Sequence, residues 1–167
     1  EDIIELTIGE PDQPPADILI QKCHESMLSG RTKYSNGRGE SNLLDALVNK
    51  YSKRSAKNIS ADNFLCLPGT QTALYATMMT LVEENDGVLV GDPYYATYEG
   101  IIRSSGADIQ PIPLHQEFGF SIQERDIRDK ISPNSKILLL NSPHNPTGAV
   151  LSREELLKLV NVCEEYN

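Results

Sequence analysis

An α/β architecture, with a mainly parallel sheet and helices on both faces, is the fold class this sequence predicts. Three observations lead there. Strand-like and helix-like segments alternate along the second half of the chain, the connections between them are short, and the run Lys136–Asn141 is continuously apolar from Ile137 to Leu140. Alternation with short connections implies βαβ crossovers, and such crossovers join parallel strands.

The elements follow in order. Ile3–Ile8 is strand-like and leads into a loop punctuated by Pro11, Pro14 and Pro15. A helix from Asp17 to Ser29 carries Ile18, Leu19, Cys23, Met27 and Leu28 near one face, and Gly30 is placed to end it. Arg31–Gly39, with Asn36, Gly37 and Gly39, is a loop. The helix Ser41–Ala56 sets Leu43, Leu44, Leu47, Val48 and Tyr51 on one stripe. Asn63–Leu67 reads as a short buried strand and Thr70–Glu83 as an apolar helix. Gly87–Val90 is the next strand, and the helix Thr97–Ser105 ends at Gly106. Asp108–Leu114 is a strand, Ile122–Ile131 a short helix, and Lys136–Asn141 the last strand. Ser152–Tyr166 closes the series as a helix, with Glu154 and Glu155 where the helix dipole favours acids.

Composition narrows the function classes. The 167 residues suffice to bury a sizeable core, and 39% hydrophobic with 23% charged residues is ordinary for a globular protein. A net charge of -9 argues against nucleic acid, whose phosphate backbone rewards basic faces, but leaves small anions open because helix N-termini bind them whatever the total charge. The aliphatic run Ile137–Leu140 is far too short to span a bilayer, so no membrane role is expected. No cationic, apolar leader is read at Glu1, so no targeting segment is expected, and without an initial Met the true N-terminus is expected upstream. Cys23, Cys66 and Cys163 fit neither a disulfide framework nor a CxxC metal site, and reduced thiols point to the cytoplasm. His24, His115 and His144 are scattered and form no ligand cluster.

Three segments carry chemistry. In Leu65-Cys66-Leu67-Pro68-Gly69-Thr70-Gln71-Thr72 a strand feeds a glycine turn and a helix begins at once. Unpaired amides and the dipole favour an anion at such a start, Gly69 lets backbone come close, and the Thr70 hydroxyl adds a donor. A plain N-cap, with Thr70 bonding its own helix, explains the same residues. Gly91-Asp92-Pro93-Tyr94-Tyr95-Ala96-Thr97-Tyr98 follows a strand, where ligands of open α/β sheets gather, and a tyrosine there can lie on a planar heterocycle. Loop packing is the alternative. In Asn141-Ser142-Pro143-His144-Asn145-Pro146-Thr147-Gly148 two prolines restrict the backbone and aim the Asn145 amide, which can donate to a phenolate oxygen. A proline-rich turn using Asn and Gly for their backbone tolerance would look the same.

Taken together and in this order, these segments resemble the class I/II aminotransferases that use pyridoxal 5'-phosphate (PLP), the aspartate aminotransferase superfamily of fold type I. Gly9-Glu10-Pro11-Asp12 and Thr32-Lys33-Tyr34-Ser35 with Gly39 extend the resemblance to the front of the chain. It implies an incomplete large domain of that fold, with residues 1–30 as an arm and small-domain junction and residues 31–167 as a partial cofactor-binding domain. It further implies that the Gly69–Thr70–Gln71 turn, through the amides of Thr70 and Gln71 and the Thr70 hydroxyl, holds the PLP phosphate. Tyr95 would stack on the pyridine ring, departing mildly from the tryptophan or phenylalanine common there. Asn145 would donate to the phenolic oxygen, Gly9 would meet the substrate carboxylate, and Tyr34 would reach the partner's phosphate in a homodimer with shared active sites.

The family's chemistry also needs an anchoring lysine that moves a proton, an aspartate at the pyridine nitrogen and an arginine for the substrate carboxylate. In relatives these follow the Asn-Pro-Thr-Gly turn. None of the eight lysines here stands in a setting resembling the anchor, and residues 149–167 read as one amphipathic helix. By analogy the strand near Leu65 borders strands that come later in the family fold, so its edges are expected to lie unpaired. The expectation is therefore the N-terminal part of an enzyme moving an amino group between an amino acid and a 2-oxo acid, inactive alone. A PLP-dependent C–S lyase or synthase on the same scaffold, or a non-catalytic binding module, are the other readings.

Overall fold

The computed structural model describes residues 3–4 and 7–166, and the chain divides into two compact units, Glu1–Leu65 and Cys66–Asn167. Each has its own local logic.

In the first unit, Glu5 and Leu6 of the expected strand Ile3–Ile8 lie outside the described residues; Ile3, Ile4 and Ile8 are exposed and join no ladder. Helix α1 spans Asp17–Leu28 and ends as expected: the Gly30 amide donates to Met27 O at 3.0 Å and the Arg31 amide to Ser26 O at 3.0 Å, which satisfies two terminal carbonyls. None of its residues is buried. Helix α2, Ser41–Ser52, stops short of the expected Ala56. The Arg54 and Ser55 amides both fold back onto Tyr51 O at 3.0 Å, and Lys53-Arg54-Ser55 offers no apolar side chain to continue the stripe. Leu44 is the buried residue of α2, and the Tyr51 ring lies 5.7 Å from that of Phe64. Asn36 Oδ1 accepts from the Arg38 and Gly39 amides at 2.9 and 2.8 Å, an Asx turn that shapes the loop after α1.

The expected strand Asn63–Leu67 is corrected. Ala61–Asn63 is a 3₁₀ turn closed by a reciprocal Ser60–Asn63 capping box. Phe64 has extended backbone, but no strand among the described residues pairs with this stretch, and Leu65 is 58% exposed. Extended backbone becomes a strand only with a ladder partner.

The second unit holds a three-stranded parallel sheet in the order β2-β1-β3, where β1 is Gly87–Asp92, β2 Asp108–Pro113 and β3 Ser135–Leu139. Helices α3 (Thr70–Leu81) and α4 (Thr97–Ser104) cover one face, and α5 (Glu124–Lys130) and α6 (Arg153–Glu165) the other. The central strand explains the two cores. Val88 and Val90 point to one layer, with Met78, Val82, Tyr98, Ile102 and Ala107, while Leu89 points to the other, with Ile112, Ile122, Ile127, Leu159 and Val162. The expected α/β class with helices on both faces is what the chain forms. Strand β3 is only half-buried, because its outer edge is open: an apolar groove of about 800 Å³ runs along Ile137, Leu138 and Leu140 beside Leu156 and Val160. Helix α3 stops two residues early, where Asp86 Oδ2 accepts from the Glu83 amide at 2.8 Å and Val82 turns to extended backbone. The three cysteines are free, and no helix among the described residues is long and apolar enough to cross a membrane.

The start of α6 is tied to the sheet layer by one carboxylate. The Ser121 hydroxyl donates to Glu155, and the Ser152 amide does so at 2.7 Å, while Ser152 Oγ accepts from the Glu155 amide. The Ser121 hydroxyl, then the Ser152 hydroxyl and amide, hold the Glu155 carboxyl down to about 2. A folded value below the unfolded one means this stabilisation is complete above the ordinary carboxylate range and is lost as pH falls toward about 2. Glu155→Gln is expected to lower the urea midpoint at neutral pH, with the gap to wild type closing as pH falls through that window. A gap independent of pH would contradict the assignment.

Candidate functional site

Adjacent parallel strands open their C-terminal ends on one edge, so the loops that leave β1 after Asp92 and β3 after Leu139 are neighbours. Helix α3 reaches the same edge from the other direction. Its twelve residues rise about 18 Å, β1 extends about 20 Å, and the short return through residues 82–86 folds one back along the other. Leu74, in the first half of α3, packs in the cluster that holds Val90 and Tyr98. The N-terminus of α3, the Tyr95 loop and the Asn145 loop therefore share the C-terminal edge.

At the head of α3 the cap is Gly69, with φ at +87° and no side-chain capping bond. The hydroxyl that bonds the turn is that of Thr72, which donates to Pro68 O at 2.8 Å. Thr70 does not cap its own helix, so the plain N-cap alternative is not what forms. The first helical bond runs from the Ala73 amide to Gly69 O at 3.3 Å, which leaves the Thr70, Gln71 and Thr72 amides without acceptors among the described residues. A methyl at Gly69 would meet nothing within 4 Å, so space does not demand glycine here; backbone conformation does. Gly69→Ala is expected to cost about 1 kcal/mol, measured by urea unfolding, because an L side chain is strained at that φ. An unchanged midpoint would contradict the assigned conformation.

Tyr95 is exposed, and its ring meets the buried Tyr98 edge-on with centroids 5.7 Å apart and planes at 85°. Tyr98 forms the floor under Tyr95, and its burial pushes its phenol up from the ordinary value. Asn145 is exposed, and its side chain has no hydrogen-bond partner among the described residues. The loop around it is closed by the His144 amide on Ala149 O and the Gly148 amide on His144 O, each at 2.7 Å, with Gly148 at a φ of +76°. Beneath the loop a cavity of about 30 Å³ is lined by Val90, Gly91, Leu139, Asn141 and His144 among others, and burial lowers the His144 imidazole from its usual value.

Gly9 and Tyr34 belong to the first unit, where Gly9 is exposed and Tyr34 fully so. The lysines of the second unit stand away from the shared edge. Lys136, at the start of β3, pairs with Asp86 at 2.9 Å beside the N-terminal end of β1; Lys130 ends α5 ahead of β3; and Lys158 pairs with Glu154 on α6. Sequence reasoning missed the supporting residues Thr72, Tyr98 and the His144–Thr147 contact at 2.7 Å. A hydroxyl two residues past the expected one, and a histidine three residues from a threonine in a turn, were the available signals.

The sequence model of the family aminotransferase class I and II matches residues 1–167. This chain belongs to the class I and II aminotransferases. Its relatives in the family include the arginine–pyruvate transaminase of Pseudomonas aeruginosa, 35% identical over 100% of this chain and 42% of that protein. The probable aspartate/prephenate aminotransferase of Aquifex aeolicus is 33% identical over 98% and 42% respectively. Among solved structures, the aspartate aminotransferase of Thermotoga maritima superposes with a TM-score of 0.94 at 30% identity, covering 100% of this chain and 44% of that one. The Thermus thermophilus aspartate aminotransferase with maleate gives 0.92 at 29%, over 97% and 42%. The chain thus spans about two fifths of the length of the relatives it matches, in their N-terminal part.

Proposed function

We infer that this chain supplies the cofactor-holding part of a PLP-dependent aminotransferase, which moves an amino group between an amino acid and a 2-oxo acid. The observation that carries this reading is the convergence, at one sheet edge, of free amides at the head of α3, the exposed Tyr95 ring and the unpartnered Asn145 amide. Those groups fit the cofactor: a dianionic phosphate for the amides, a flat pyridine for the ring, and a phenolic oxygen for the amide donor. When bound, PLP supplies an electron sink for the substrate's α-carbon.

The residues then have separate tasks. Gly69, Thr70 and Gln71 bind the phosphate through amides and one hydroxyl, and Tyr95 orients the ring from a floor provided by Tyr98. Asn145 holds the phenolic oxygen in its anionic form. Gly9 meets the substrate carboxylate, and Tyr34, fully exposed, reaches the phosphate of a second copy in a homodimer. In this assignment residues 1–30 form the arm and small-domain junction, residues 31–167 the partial cofactor domain, and the protein works in the cytoplasm. The covalent anchor and the acid–base group come from outside the residues gathered at this edge, since no lysine of the second unit stands there.

The relatives act on different amino acids by name, arginine and aspartate among them, so substrate choice is a separate question from cofactor binding. The reaction is tested in protein of the relatives' length, loaded with PLP and given one amino acid at a time. Accumulation of pyridoxamine phosphate supports transfer. Release of pyruvate and ammonia, without pyridoxamine phosphate, would assign the scaffold to elimination instead.

A further inference from the structure

The loop after β3 is framed more tightly than a connection to a helix requires. Besides the two backbone bonds between His144 and residues 148–149, the Leu151 amide donates to Ser142 Oγ at 2.9 Å. Inside this frame lies a side-chain bond. His144 Nδ1 and Thr147 Oγ1 are 2.7 Å apart, and the Ala149 amide donates to the same oxygen at 3.3 Å. A hydroxyl carries one proton and two lone pairs, so Thr147 can serve Ala149 and either give to or take from the imidazole. Both partners are half-buried, and the imidazole also lines the cavity under the loop with Asn141 and Leu151.

The two side chains bracket Asn145 and Pro146. Fixing the residues on either side of a dipeptide fixes the direction in which its first side chain leaves the backbone. Asn145 itself makes no side-chain hydrogen bond among the described residues, so its amide direction rests on how the loop around it is held. A donor aimed in advance loses less freedom when its acceptor arrives.

We propose that His144 and Thr147 are positioning residues, whose side-chain hydrogen bond holds the 144–149 loop so that Asn145 presents its amide ready-made to the phenolic oxygen of the cofactor. The proposal rests on the assignment of Asn145 made above and adds two residues to it. Neither side chain needs to touch the cofactor.

The test compares Thr147→Val, which removes the hydroxyl at nearly the same volume, with Thr147→Ser, which keeps it, and with His144→Phe. The full chain is used, and its urea midpoint is checked for each variant. The first readout needs no ligand. Amide hydrogen exchange at Gly148 and Ala149 is expected to quicken about fivefold in Thr147→Val and His144→Phe, and to stay near wild type in Thr147→Ser. The side-chain amide resonance of Asn145 is expected to broaden in the first two only. The second readout uses 4'-deoxypyridoxine 5'-phosphate, which keeps the 3-hydroxyl but has no aldehyde to react with lysines. Its bound 3-hydroxyl is titrated by absorbance. Asn145→Ala is expected to raise that titration, Thr147→Val to raise it part of the way, and Thr147→Ser to restore it.

A shift with Asn145→Ala but none with Thr147→Val or His144→Phe would overturn the positioning role and leave the cofactor reading standing. A titration indifferent to Asn145→Ala, or no binding of the probe by wild type, would overturn the cofactor reading and the positioning role with it. A Thr147→Val shift that Thr147→Ser fails to restore would also count against the hydroxyl's part.

Discussion

Ile102→Ala is expected to lower the stability of the second unit by about 3 kcal/mol. Ile102 is fully buried on α4, enclosed by Met78, Val82, Val88, Val90, Tyr98 and Ala107. Shortening it removes apolar surface from a core that touches both α3 and β1, and the surrounding strands cannot close on the gap without breaking the parallel register. With a urea slope of about 2 kcal/mol/M, the midpoint should fall by roughly 1.5 M at unchanged slope. Ile127→Ala, equally buried in the other helix layer, is expected to cost a similar amount, and the two losses should add because the sheet separates them. Ile18→Ala, on the uncovered face of α1, should change stability by no more than about 0.5 kcal/mol. A small loss at Ile102 would mean that α4 does not dock as described. The Tyr95 loop, which runs directly into α4, would then lose its support.

The second large effect concerns the cofactor. Tyr95→Ala and Thr70→Ala are each expected to weaken PLP binding about tenfold, for different reasons. Tyr95→Ala removes ring burial and the π contact, worth on the order of 1.4 kcal/mol at a partly exposed site. Thr70→Ala leaves the α3 amides in place and removes one hydroxyl donor to a charged phosphate, a loss of similar size. Fluorescence titration with PLP measures both, and Lys158→Ala on the far helix serves as the control that should not change. Unchanged affinity in both variants would sink the placement of the site.

Much of this was legible in the sequence because it depended on local rules. The second-unit helices and strands β1 to β3 lie within a few residues of their expected positions. Gly30 stops α1, and Ser152 with Glu155 starts α6, since caps and glycine conformations are decided by neighbours a few residues away. The exceptions depended on distant partners. Asn63–Leu67 has strand-like residues, yet a ladder needs a second chain segment, and none among the described residues supplies it. The continuous apolar run of β3 suggests a strand covered on every side, whereas its outer edge is open. At the proposed site, the residue types singled out the Gly69 turn, the Tyr95 segment and Asn145, which the fold brings to one sheet edge. They did not reveal that Thr72 pins the turn or that His144 meets Thr147, because both depend on how a loop closes on itself.

The proposed site puts the cofactor at the second unit's sheet edge and its covalent anchor elsewhere. The most direct measurement is a PLP titration of the purified 167-residue chain, followed by borohydride reduction and peptide mapping of any covalent product. Reversible binding that weakens with Tyr95→Ala is expected, with no single lysine carrying the reduced cofactor. Stoichiometric fixation on one particular lysine of this chain would contradict it, because none of the eight lysines stands in a sequence setting that resembles the anchor.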